Sequence, residues 1–598
     1  MADPIRTVAD WSRGLPPRSR DHGDVYFSAD DGLAEARAVF LEGCGLPAAW
    51  RGRERFCVGE LGFGASLNIA ALVDLWRAQP PPGGSLHVFT VEREPLSAEE
   101  AALALSQWPR LAETAARMTG AWPSARPGLH RMAFDDWRVT IDVAVMEAGP
   151  ALEHWPGRAD AWFLDGFSPA LDPQLWRDEV LQLIAARSAP GARVATYTVA
   201  GAVRRGLAQA GFDLQRRPGH GRKRERLEGI LRSGSQGAAA AGPVAVIGAG
   251  IAGAAAAVAL RTLGWEARVF DAAARGAGAS GGPLALSAPR LDAGLGAIAR
   301  LFGEAAAFAA GSYDGVAGAV AGTDALQLAR GPRDEARFAA IAGSDLFDPA
   351  ALILSAQETA ARVGERSPMA LRLPYARVIR PAVVLAAWLS SVEHARITRI
   401  EHLQSGWRLT TDEGQTHGPF SAVIVAAGAQ SVGLLPTLPI SPVRGQVSIA
   451  DGVAFPLACS GEAYVLPLDR GVLFGATYDR GQSDDAPRAE DDRRNLASIA
   501  RTLPELAARL RPATLRSWTA IRAATADNLP LAGPAVDGPP GVFVLSGLGS
   551  RGFVLAPLLG AHLAALIASA PSPLPLDFAA LVDPARFAAR AARRNERR

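Results

Sequence analysis

The sequence has few cysteines, and they are far apart. Among its 598 residues are three, Cys44, Cys57 and Cys459, with no CxxC pair. Such spacing argues against a disulfide framework or a zinc site and is typical of a protein of the reducing cytoplasm. The nine histidines are scattered, so we expect no metal-ligand cluster and no Ser/His/Asp triad. The sequence therefore predicts no metal site.

Long uninterrupted apolar runs are also missing. Residues 244–260 and 553–569 are strongly apolar, but the first is broken by a glycine turn and the second contains Pro557, Gly560 and His562. Neither supplies the run of about 20 apolar residues that spans a bilayer. The N-terminus, MADPIRTVADW, lacks the apolar segment of a signal peptide. We therefore expect a cytoplasmic protein without a membrane segment.

Neither sign of charge dominates. Lysine and arginine together number 62 and the acids 60, so the net charge of +2 does not by itself indicate nucleic-acid binding. A hydrophobic content of 49% is typical of a globular protein. Because 598 residues are too many for one core, we expect three or four domain-sized units.

The strongest motif lies in residues 243–282. It runs strand, G-x-G-x-x-G, helix, strand and acid, and its parts are Val244–Ile247, Gly248, Gly250, Gly253, a helix to about Leu263, Ala267–Phe270 and Asp271. Gly248 permits a tight turn, Gly250 lets the backbone approach a pyrophosphate, and Gly253 lets the helix pack on the strand. Free N–H groups at the helix N-terminus favour the pyrophosphate, and Asp271 can accept hydrogen bonds from a ribose. The pattern predicts dinucleotide binding rather than a plain glycine-rich turn.

Three further loops of small residues are predicted to approach the same cofactor. They contain Ala279 and Ser280, then Gly428 after the strand Ser421–Ala426, and then Gly549 and Gly552 after the strand Val542–Leu545. The first loop suits the close approach of a flat ring system. A strand, a glycine turn and a long apolar helix, as in the last, are expected where a flavin ring and its ribityl chain are capped. These loops indicate FAD as the dinucleotide.

The first half of the chain carries a second glycine loop. Its parts are the strand Phe56–Val58, Glu60, Gly62, Gly64, a helix capped by Ser66, the strand Leu86–Val91 and Glu92. The acid Glu60 precedes the glycines, in the order E-x-G-x-G of the first motif of S-adenosylmethionine-dependent methyltransferases. Gly62 and Gly64 would let the backbone approach the methionine end of the cofactor, and Glu92 would hold the ribose hydroxyls. The alternative is an ordinary tight turn beside a capping acid.

Two more strand ends carry acids. A strand predicted over Trp137–Met146 ends near Glu147, which we add to the cofactor-binding residues. Asp165 follows the short buried strand Ala161–Leu164, at the carboxyl end where open α/β sheets bind their ligands. The sequence from Asp165, DGFSP, resembles the D/N-P-P-aromatic loop of amino-methylating enzymes, in which the polar group and a carbonyl hold the acceptor nitrogen. The alternative is a helix-capping aspartate.

Residues 216–226, RRPGHGRKRER, place six cations around one acid. The composition fits a solvated hairpin and phosphate contacts equally well. We assign Arg222, Lys223 and Arg224 to nucleic-acid contacts. The following SGSQGAAAAG is typical of a flexible linker, so we predict a domain over residues 1–234, a linker over 235–242 and a second domain over 243–598.

The remaining chain is less informative. We expect helices near 291–310 and 350–364, antiparallel strands at Pro442–Val447, Ala463–Pro467 and Val472–Tyr478, and a frayed C-terminal tail with Arg590, Arg593, Arg594, Arg597 and Arg598.

Together, these motifs resemble the family of bifunctional tRNA 5-methylaminomethyl-2-thiouridine biosynthesis proteins. The resemblance is carried, in chain order, by Asp24–Ser28, Asp31–Leu33, Glu60–Asn68, Asp165–Phe167, Gly221–Glu225, Gly278–Gly281 and Leu548–Gly552. One departure is visible, because the family usually has a third loop glycine at the position of Ser66. The resemblance implies an α/β fold: an N-terminal Rossmann-like methyltransferase domain, fused to a C-terminal FAD-binding Rossmann domain with an antiparallel β-sheet substrate subdomain.

The resemblance also implies two consecutive reactions on the wobble uridine of a tRNA anticodon loop. FAD-dependent oxidation would remove the carboxymethyl group from 5-carboxymethylaminomethyl-(2-thio)uridine. S-adenosylmethionine-dependent N-methylation of the resulting 5-aminomethyl group would give 5-methylaminomethyl-(2-thio)uridine. By similarity to glycine oxidases, Arg522 would hold the substrate carboxylate and Tyr464 would be a second contact, with Arg551 as a competitor for the same role.

Two other functions are compatible with these motifs. One is an oxidase of a free small amine or amino acid, fused to an unrelated methyltransferase. The other is a non-catalytic flavoprotein scaffold that binds RNA. The basic run favours RNA over a free metabolite, whereas Asp165 and Arg522 favour catalysis over a scaffold. We expect a monomer that binds tRNA, FAD and S-adenosylmethionine.

Overall fold

The computed structural model describes residues 8–123, 125, 127–155, 157–221, 223–232, 242–292, 294–347, 349–536, 538, 540–568 and 570–596. Contacts group the chain into two compact units, one from most of the chain before residue 240 and one from most of the chain after it. The expectation of three or four units is wrong at this level, because chain length is only a soft guide to domain number. The predicted linker, except for Gly242, lies outside the described residues.

The first unit is built on a mixed sheet. In spatial order its strands are Gly128–Phe134, Val139–Val145, Ser85–Glu92, Arg55–Leu61, Ala159–Leu164, Ser188–Thr196, Glu225–Leu231 and Phe212–Pro218. The inner strands run parallel, and the strands at both edges are antiparallel to their neighbours. Arg55–Leu61 is buried from its second residue onward, as an apolar strand covered on both faces must be.

Helices cover the faces of this sheet. The α-helices are Gly32–Ala36, Leu67–Ala78, Ala98–Leu105, Ala112–Gly120, Ala148–His154, Asp178–Ala186 and Gly201–Gln209. Shorter 3₁₀ turns lie at Ala48–Trp50, Pro109–Leu111, Asp135–Trp137 and Pro173–Trp176, a π-helical turn spans Arg37–Glu42, and Ala9–Asp10 pairs with Arg18–Ser19. The strand predicted from Trp137 begins instead at Val139, because the 3₁₀ turn ends on Arg138 in the left-handed region (φ +52°).

The second unit contains a largely parallel sheet. Its strands, in spatial order, are Glu393–His394, Ala267–Asp271, Val244–Ile247, Ala422–Val425, Val542–Ser546 and Leu531–Pro534. The helix Ile251–Thr262 follows the glycine loop and buries an alanine-rich face. Only the last pair of strands is antiparallel. This is the Rossmann arrangement that the dinucleotide motif predicts.

A second, largely antiparallel sheet completes this unit. Its strands are Leu352–Leu354, Ala370–Arg372, Ala325–Leu328, Ala458–Ser460, Tyr464–Leu468, Gly471–Gly475, Ile440–Asp451 and Asp479–Arg480, with Leu515–Thr525 also paired to Ile440–Asp451. Smaller sheets comprise Ala285–Ser287, Arg377–Ile379 and Val320–Gly322, and Ile397–Leu403, Gly406–Thr411 and Thr416–Phe420. The three antiparallel strands predicted from the sequence lie in the large sheet that contains Ile440–Asp451.

The remaining helices of the chain surround these sheets. They are Ala297–Asp314, Arg333–Ala342, Ala356–Val363, Pro381–Trp388, Ser431–Leu434, Ala489–Ala500, Pro504–Leu510, Gly552–Ala568, Leu576–Val582 and Arg586–Glu596, with a 3₁₀ turn at Gly428–Gln430. Within the described residues, none is long and apolar enough to cross a membrane.

Three of the helix and tail predictions need correction. The helix near 291–310 begins at Ala297 and ends at Asp314. The segment 350–364 holds a strand before its helix, because Ser355 and Glu358 form a capping box that starts the helix at Ala356. The C-terminal tail is helical over Arg586–Glu596 rather than frayed. Arg586 and Arg590 both pair with Asp527, which anchors this helix.

Candidate active sites

A cavity of about 500 Å³ opens in the first unit, at the carboxyl ends of the parallel strands. This size falls in the range of roughly 300–1,000 Å³ typical of small-molecule sites. Of the predicted cofactor-binding and catalytic residues, Gly62, Gly64, Glu92, Glu147 and Asp165 line it. The fold therefore brings these five together, as the strand-end argument predicts.

Gly62 makes the turn at which the backbone enters this cavity. Its φ is +84°, and an added Cβ would lie 2.2 Å from the carbonyl oxygen of Asp165. The N–H groups of Gly62 and Phe63 both donate to the Val91 carbonyl oxygen, at 3.0 and 3.2 Å. Glu92 accepts a hydrogen bond from the Gly64 N–H at 3.0 Å. The loop thus has no room for a side chain at Gly62, which fits a cofactor held against bare backbone.

Asp165 is the acid that the sequence predicts to hold the acceptor nitrogen, and it lines this cavity. Its Oδ2 accepts a 2.6 Å hydrogen bond from Nδ2 of Asn68, the second residue of the helix Leu67–Ala78. Burial raises the pKa of Asp165 to about 6, although the bond from Asn68 and the charge of Lys223 lower it. The group is therefore an anion at neutral pH, yet within reach of protonation.

Glu60 differs from the other predicted cofactor residues. It is 1% exposed, lies inside the strand Arg55–Leu61 rather than in the loop, and is not among the residues that line the cavity. It accepts hydrogen bonds from Thr90 at 2.7 Å and from Asn68 at 3.4 Å. Burial raises its pKa well above the usual range. Glu60 therefore contacts Asn68, a neighbour of Asp165, whereas the sequence predicts a direct contact between Glu60 and the cofactor.

Ser66 does not cap its helix as expected. It adopts a left-handed conformation (φ +60°), and its side chain makes no capping hydrogen bond. Its buried Oγ has no hydrogen-bond partner among the described residues. A serine cap needs extended backbone, so this position instead has the geometry that favours the glycine usual in the resembled family.

Sequence reasoning missed the aromatic and charged walls around Asp165. Tyr26 packs edge-on against Phe167 (5.5 Å between ring centroids), and the Tyr197 hydroxyl donates to the Gly166 carbonyl oxygen at 2.7 Å. Nζ of Lys223 lies 3.8 Å from the centroid of the Tyr197 ring and 2.7 Å from Glu35. Tyr26 and Lys223 belong to the family motifs Asp24–Ser28 and Gly221–Glu225, which could have marked them as site residues. The motifs alone do not show that these distant segments meet.

The described ends of the basic run 216–226 lie in the paired strands Phe212–Pro218 and Glu225–Leu231, as in the hairpin that was one of the two interpretations of this run. Arg216 pairs with Glu225, and both Arg217 and Arg226 pair with Glu228. Of the three cations assigned to nucleic acid, Lys223 lines the cavity, Arg224 is exposed, and Arg222 lies outside the described residues.

A second cavity, of about 1,420 Å³, lies within the second unit. The predicted residues that line it are Gly248, Gly250, Asp271, Ala279, Ser280, Gly428, Tyr464, Arg522, Gly549, Arg551 and Gly552. Gly253 is not among its lining residues, because this glycine packs the helix against the loop: a Cβ there would lie 1.8 Å from the Gly248 carbonyl oxygen. The cavity exceeds the usual size of a small-molecule site, as expected for a cofactor and a substrate together.

The glycine loop of this cavity has the geometry that a pyrophosphate requires. Gly248 has φ +116°, and an added Cβ would lie 2.4 Å from the Ala426 carbonyl oxygen. Asp271 accepts hydrogen bonds from the N–H groups of Ala249 (2.6 Å) and Ala273 (2.8 Å). Ser280 Oγ accepts from the Ile251 N–H at 2.9 Å, which ties the second small-residue loop to the helix N-terminus. These residues fit FAD.

The three predicted substrate residues lie in the same cavity. Arg522 donates from Nη1 to the Thr477 carbonyl oxygen at 3.2 Å. Arg551 donates to the Ala288 carbonyl oxygen at 3.0 Å, and burial lowers its pKa from the usual value. Burial raises the pKa of Tyr464, so this phenol is neutral. Arg290 and Trp518, which the sequence did not reveal, also line the cavity.

Comparison with known proteins gives matches over both units. Residues 243–566 match the family model described as FAD dependent oxidoreductase, and residues 109–232 match that described as S-adenosyl-L-methionine-dependent methyltransferase. The chain is 51% identical over 603 aligned residues to the tRNA 5-methylaminomethyl-2-thiouridine biosynthesis bifunctional protein MnmC of Caulobacter sp. (strain K31), with 99% of each chain covered. The protein of the same name from Maricaulis maris (strain MCS10) is 41% identical, with 98% of this chain and 97% of that one covered.

A solved structure gives a likeness of fold. L-proline dehydrogenase from P. horikoshii is 19% identical with a TM-score of 0.50, and the match covers 58% of this chain and 98% of that one. This likeness concerns the fold alone.

Proposed function

The chain belongs to the family of tRNA 5-methylaminomethyl-2-thiouridine biosynthesis bifunctional proteins, and we propose that it carries out two consecutive reactions on the wobble uridine of tRNA. It is an enzyme with an FAD-dependent oxidoreductase domain and an S-adenosylmethionine-dependent methyltransferase domain. The first reaction removes the carboxymethyl group of 5-carboxymethylaminomethyl-(2-thio)uridine. The second methylates the amine that remains.

In the oxidation, the substituent is a glycine attached through its nitrogen. FAD, when bound, supplies an acceptor for the two electrons and the hydrogen removed from the C–H beside that nitrogen. The resulting carbon–nitrogen double bond adds water and breaks, so that glyoxylate leaves and a primary amine stays on the base. The enzyme's own task is to hold the carboxylate so that this C–H faces the cofactor.

Arg522 is suited to that task. A planar guanidinium can meet both carboxylate oxygens in parallel, and Arg522 shares its cavity with Gly248, Gly250 and Asp271. Tyr464 is protonated and can donate a further hydrogen bond. Arg551 keeps one N–H on the Ala288 carbonyl oxygen and adds positive charge to the wall.

In the methylation, the amine nitrogen attacks a methyl group and must lose a proton. S-adenosylmethionine, when bound, supplies the electrophilic methyl group. Asp165 accepts hydrogen bonds from the amine, orients its lone pair and receives the proton directly or through water. The Tyr26, Phe167 and Tyr197 rings offer faces on which a base and its cationic substituent can pack.

One observation carries the proposal. A cavity with an arginine suited to a glycine-like carboxylate and a cavity with an anionic Asp165 occur in one chain, and the product of the first reaction is the acceptor for the second. We further propose that the partner is the tRNA anticodon loop, with its wobble base splayed out of the stack, and that the enzyme works in the cytoplasm as a monomer.

The test is mass spectrometry of wobble nucleosides after tRNA is incubated with the purified protein, with and without S-adenosylmethionine. Arg522→Ala should reduce carboxymethyl removal by roughly 30- to several-thousand-fold and still methylate tRNA that already carries the aminomethyl group. Asp165→Ala should oxidise normally but lower methyl transfer by roughly 100-fold or more.

Matched controls are available for both variants. Arg516→Ala removes an arginine from the same strand as Arg522, but one that pairs with Asp451 at the surface. Asp136→Ala removes an exposed acid of the first unit. Oxidation of free glycine derivatives without any change in tRNA would favour a metabolite oxidase instead, and tRNA binding without turnover would favour a scaffold.

A further inference from the structure

Gly445 lies directly against the end of the Arg522 side chain. The two residues are on paired strands, Ile440–Asp451 and Leu515–Thr525, in which Val443 is opposite Arg522 and Gly445 is opposite Ala520. A Cβ built on Gly445 would lie 2.3 Å from Nη1, 2.4 Å from Cζ and 2.4 Å from Nη2 of Arg522. The guanidinium therefore occupies the space that any side chain at position 445 would fill.

The other contacts of Arg522 are weak. Besides the hydrogen bond to Thr477, its Cζ lies 5.8 Å from the centroid of the Tyr478 ring. Within the described part of the chain, the ion pairs do not include one to Arg522. The charge and most N–H donors of the guanidinium are consequently left for a ligand, and its position is set chiefly by the space over Gly445.

The backbone at Gly445 cannot easily move away from an added methyl group. Arg444 is fully buried and paired with Asp491. The N–H of Gln446 donates to Thr477 Oγ1 at 3.0 Å, and the N–H of Thr477 donates back to the Gln446 carbonyl oxygen at 3.1 Å. The residues on both sides of Gly445 are thus fixed by several contacts, whereas a single 3.2 Å hydrogen bond to Thr477 holds the end of the Arg522 side chain, which is the part that must give way.

We propose that Gly445 is a positioning residue that sets the preference of the oxidase site for amines bearing a carboxylate. It acts by the absence of a side chain, which lets the Arg522 guanidinium lie where it meets the carboxylate. This inference rests on the proposed function, because it assumes that Arg522 binds the carboxymethyl group.

The test is Gly445→Ala, with Gly311→Ala as the matched control. Gly311 is an exposed glycine of the helix Ala297–Asp314, and a Cβ there has no neighbour within 4 Å. In Gly445→Ala, kcat/KM for carboxymethyl removal from tRNA should fall by roughly 30-fold or more, chiefly through KM. Its flavin absorbance and its methylation of aminomethyl tRNA should match the wild type, and Gly311→Ala should match it throughout.

Two further measurements separate positioning from a general structural effect. Adding Gly445→Ala to Arg522→Ala should not lower kcat/KM for carboxymethyl removal any further, because the guanidinium that Gly445→Ala displaces is already absent. Glycolate, followed by its perturbation of the flavin spectrum, should bind more weakly to Gly445→Ala, whereas uncharged glycolamide should bind equally to both proteins.

Each outcome decides the matter. Normal KM in Gly445→Ala, or losses that multiply in the double variant, would overturn the inference. Failure of Gly445→Ala to retain flavin would also overturn the inference. The inference requires the Arg522 side chain to move away from the added methyl group while the backbone at position 445 stays in place. If wild-type protein leaves the carboxymethyl group intact, the proposed function itself fails.

Discussion

Replacing Asn68 by alanine should move the pH dependence of methyl transfer without abolishing it. In the proposed mechanism methylation requires ionised Asp165, so kcat/KM should rise with pH through the folded-state pKa of this acid, which is about 6. Asn68 donates to the ionised carboxylate at 2.6 Å and thereby favours the charged form. Removing this donor leaves burial as the dominant influence, and the pKa of Asp165 must rise.

The size of the shift follows from the strength of the bond. A hydrogen bond to a charged group contributes about 1.5–3 kcal/mol, and one pKa unit corresponds to about 1.4 kcal/mol. The acid limb should therefore move upward by about 1–2 pH units. At pH 7 wild-type Asp165 is about 90% ionised and the variant roughly 10–50%, so the rate should fall by about two- to tenfold and recover towards pH 9.

The assay is the initial rate of methyl transfer from labelled S-adenosylmethionine to tRNA carrying the aminomethyl group, from pH 5 to 9. The limb due to the substrate amine is common to all variants and serves as an internal reference. Gln107→Ala, which removes an exposed amide from the same unit, should leave the profile unchanged. An unshifted acid limb in Asn68→Ala, with cofactor affinity intact by calorimetry, would refute this account of Asp165.

Three other results are expected. Ser66→Gly should raise the free energy of unfolding by about 1 kcal/mol, because it relieves a left-handed serine with a buried, unpartnered hydroxyl; chemical denaturation with Ser66→Ala as the control measures this, and no gain would contradict the strain. Burial lowers the pKa of His562 to about 4. The neutral imidazole therefore contributes its full stabilisation above pH 6.5, the pKa in the unfolded chain, and this stabilisation is lost as pH falls. Between pH 7 and pH 5 the free energy of unfolding should fall by about 2 kcal/mol, and His562→Leu should flatten this part of the stability curve. The flavin should be released by acid precipitation, because the described residues lining its cavity include no histidine or cysteine for covalent attachment; colour that stays in the pellet would contradict this.

Local patterns predicted both cofactor loops because their geometry is encoded over a few consecutive residues. Gly248 and Gly62 lie where positive φ and close backbone approach exclude other residues, and spacing alone reveals such positions. Asp165 could be predicted for a related reason, since it ends a short apolar strand. The family and the two reactions followed from motifs, not from periodicity.

Contacts between distant segments could not be predicted in this way. The residues near Lys223 in the sequence do not indicate that its ammonium lies over Tyr197. The residues near Gly445 likewise do not indicate its contact with Arg522, which is 77 positions further along the chain. Ser66 shows the opposite failure: the residue type favoured a cap, but the loop imposed a left-handed turn. Glu60 lies in the strand and not in the loop, because pairing with both neighbouring strands continues to Leu61, one residue beyond it.

The two acids that we propose as ribose ligands, Glu92 and Asp271, already have hydrogen-bond partners in the protein. Glu92 and Asp271 each accept backbone N–H groups of their own surroundings, the former from Gly64 and Glu94 and the latter from Ala249 and Ala273. Each glycine loop is thereby locked in its receptive shape before a ligand arrives, so binding spends little entropy on ordering the chain. An acid-to-amide change would turn an NH₂ group towards a backbone N–H, loosening the loop as well as removing a ribose contact. Such variants should bind the nucleotide slowly, as expected when the loop must first become ordered, and should not merely lose the affinity contributed by one contact.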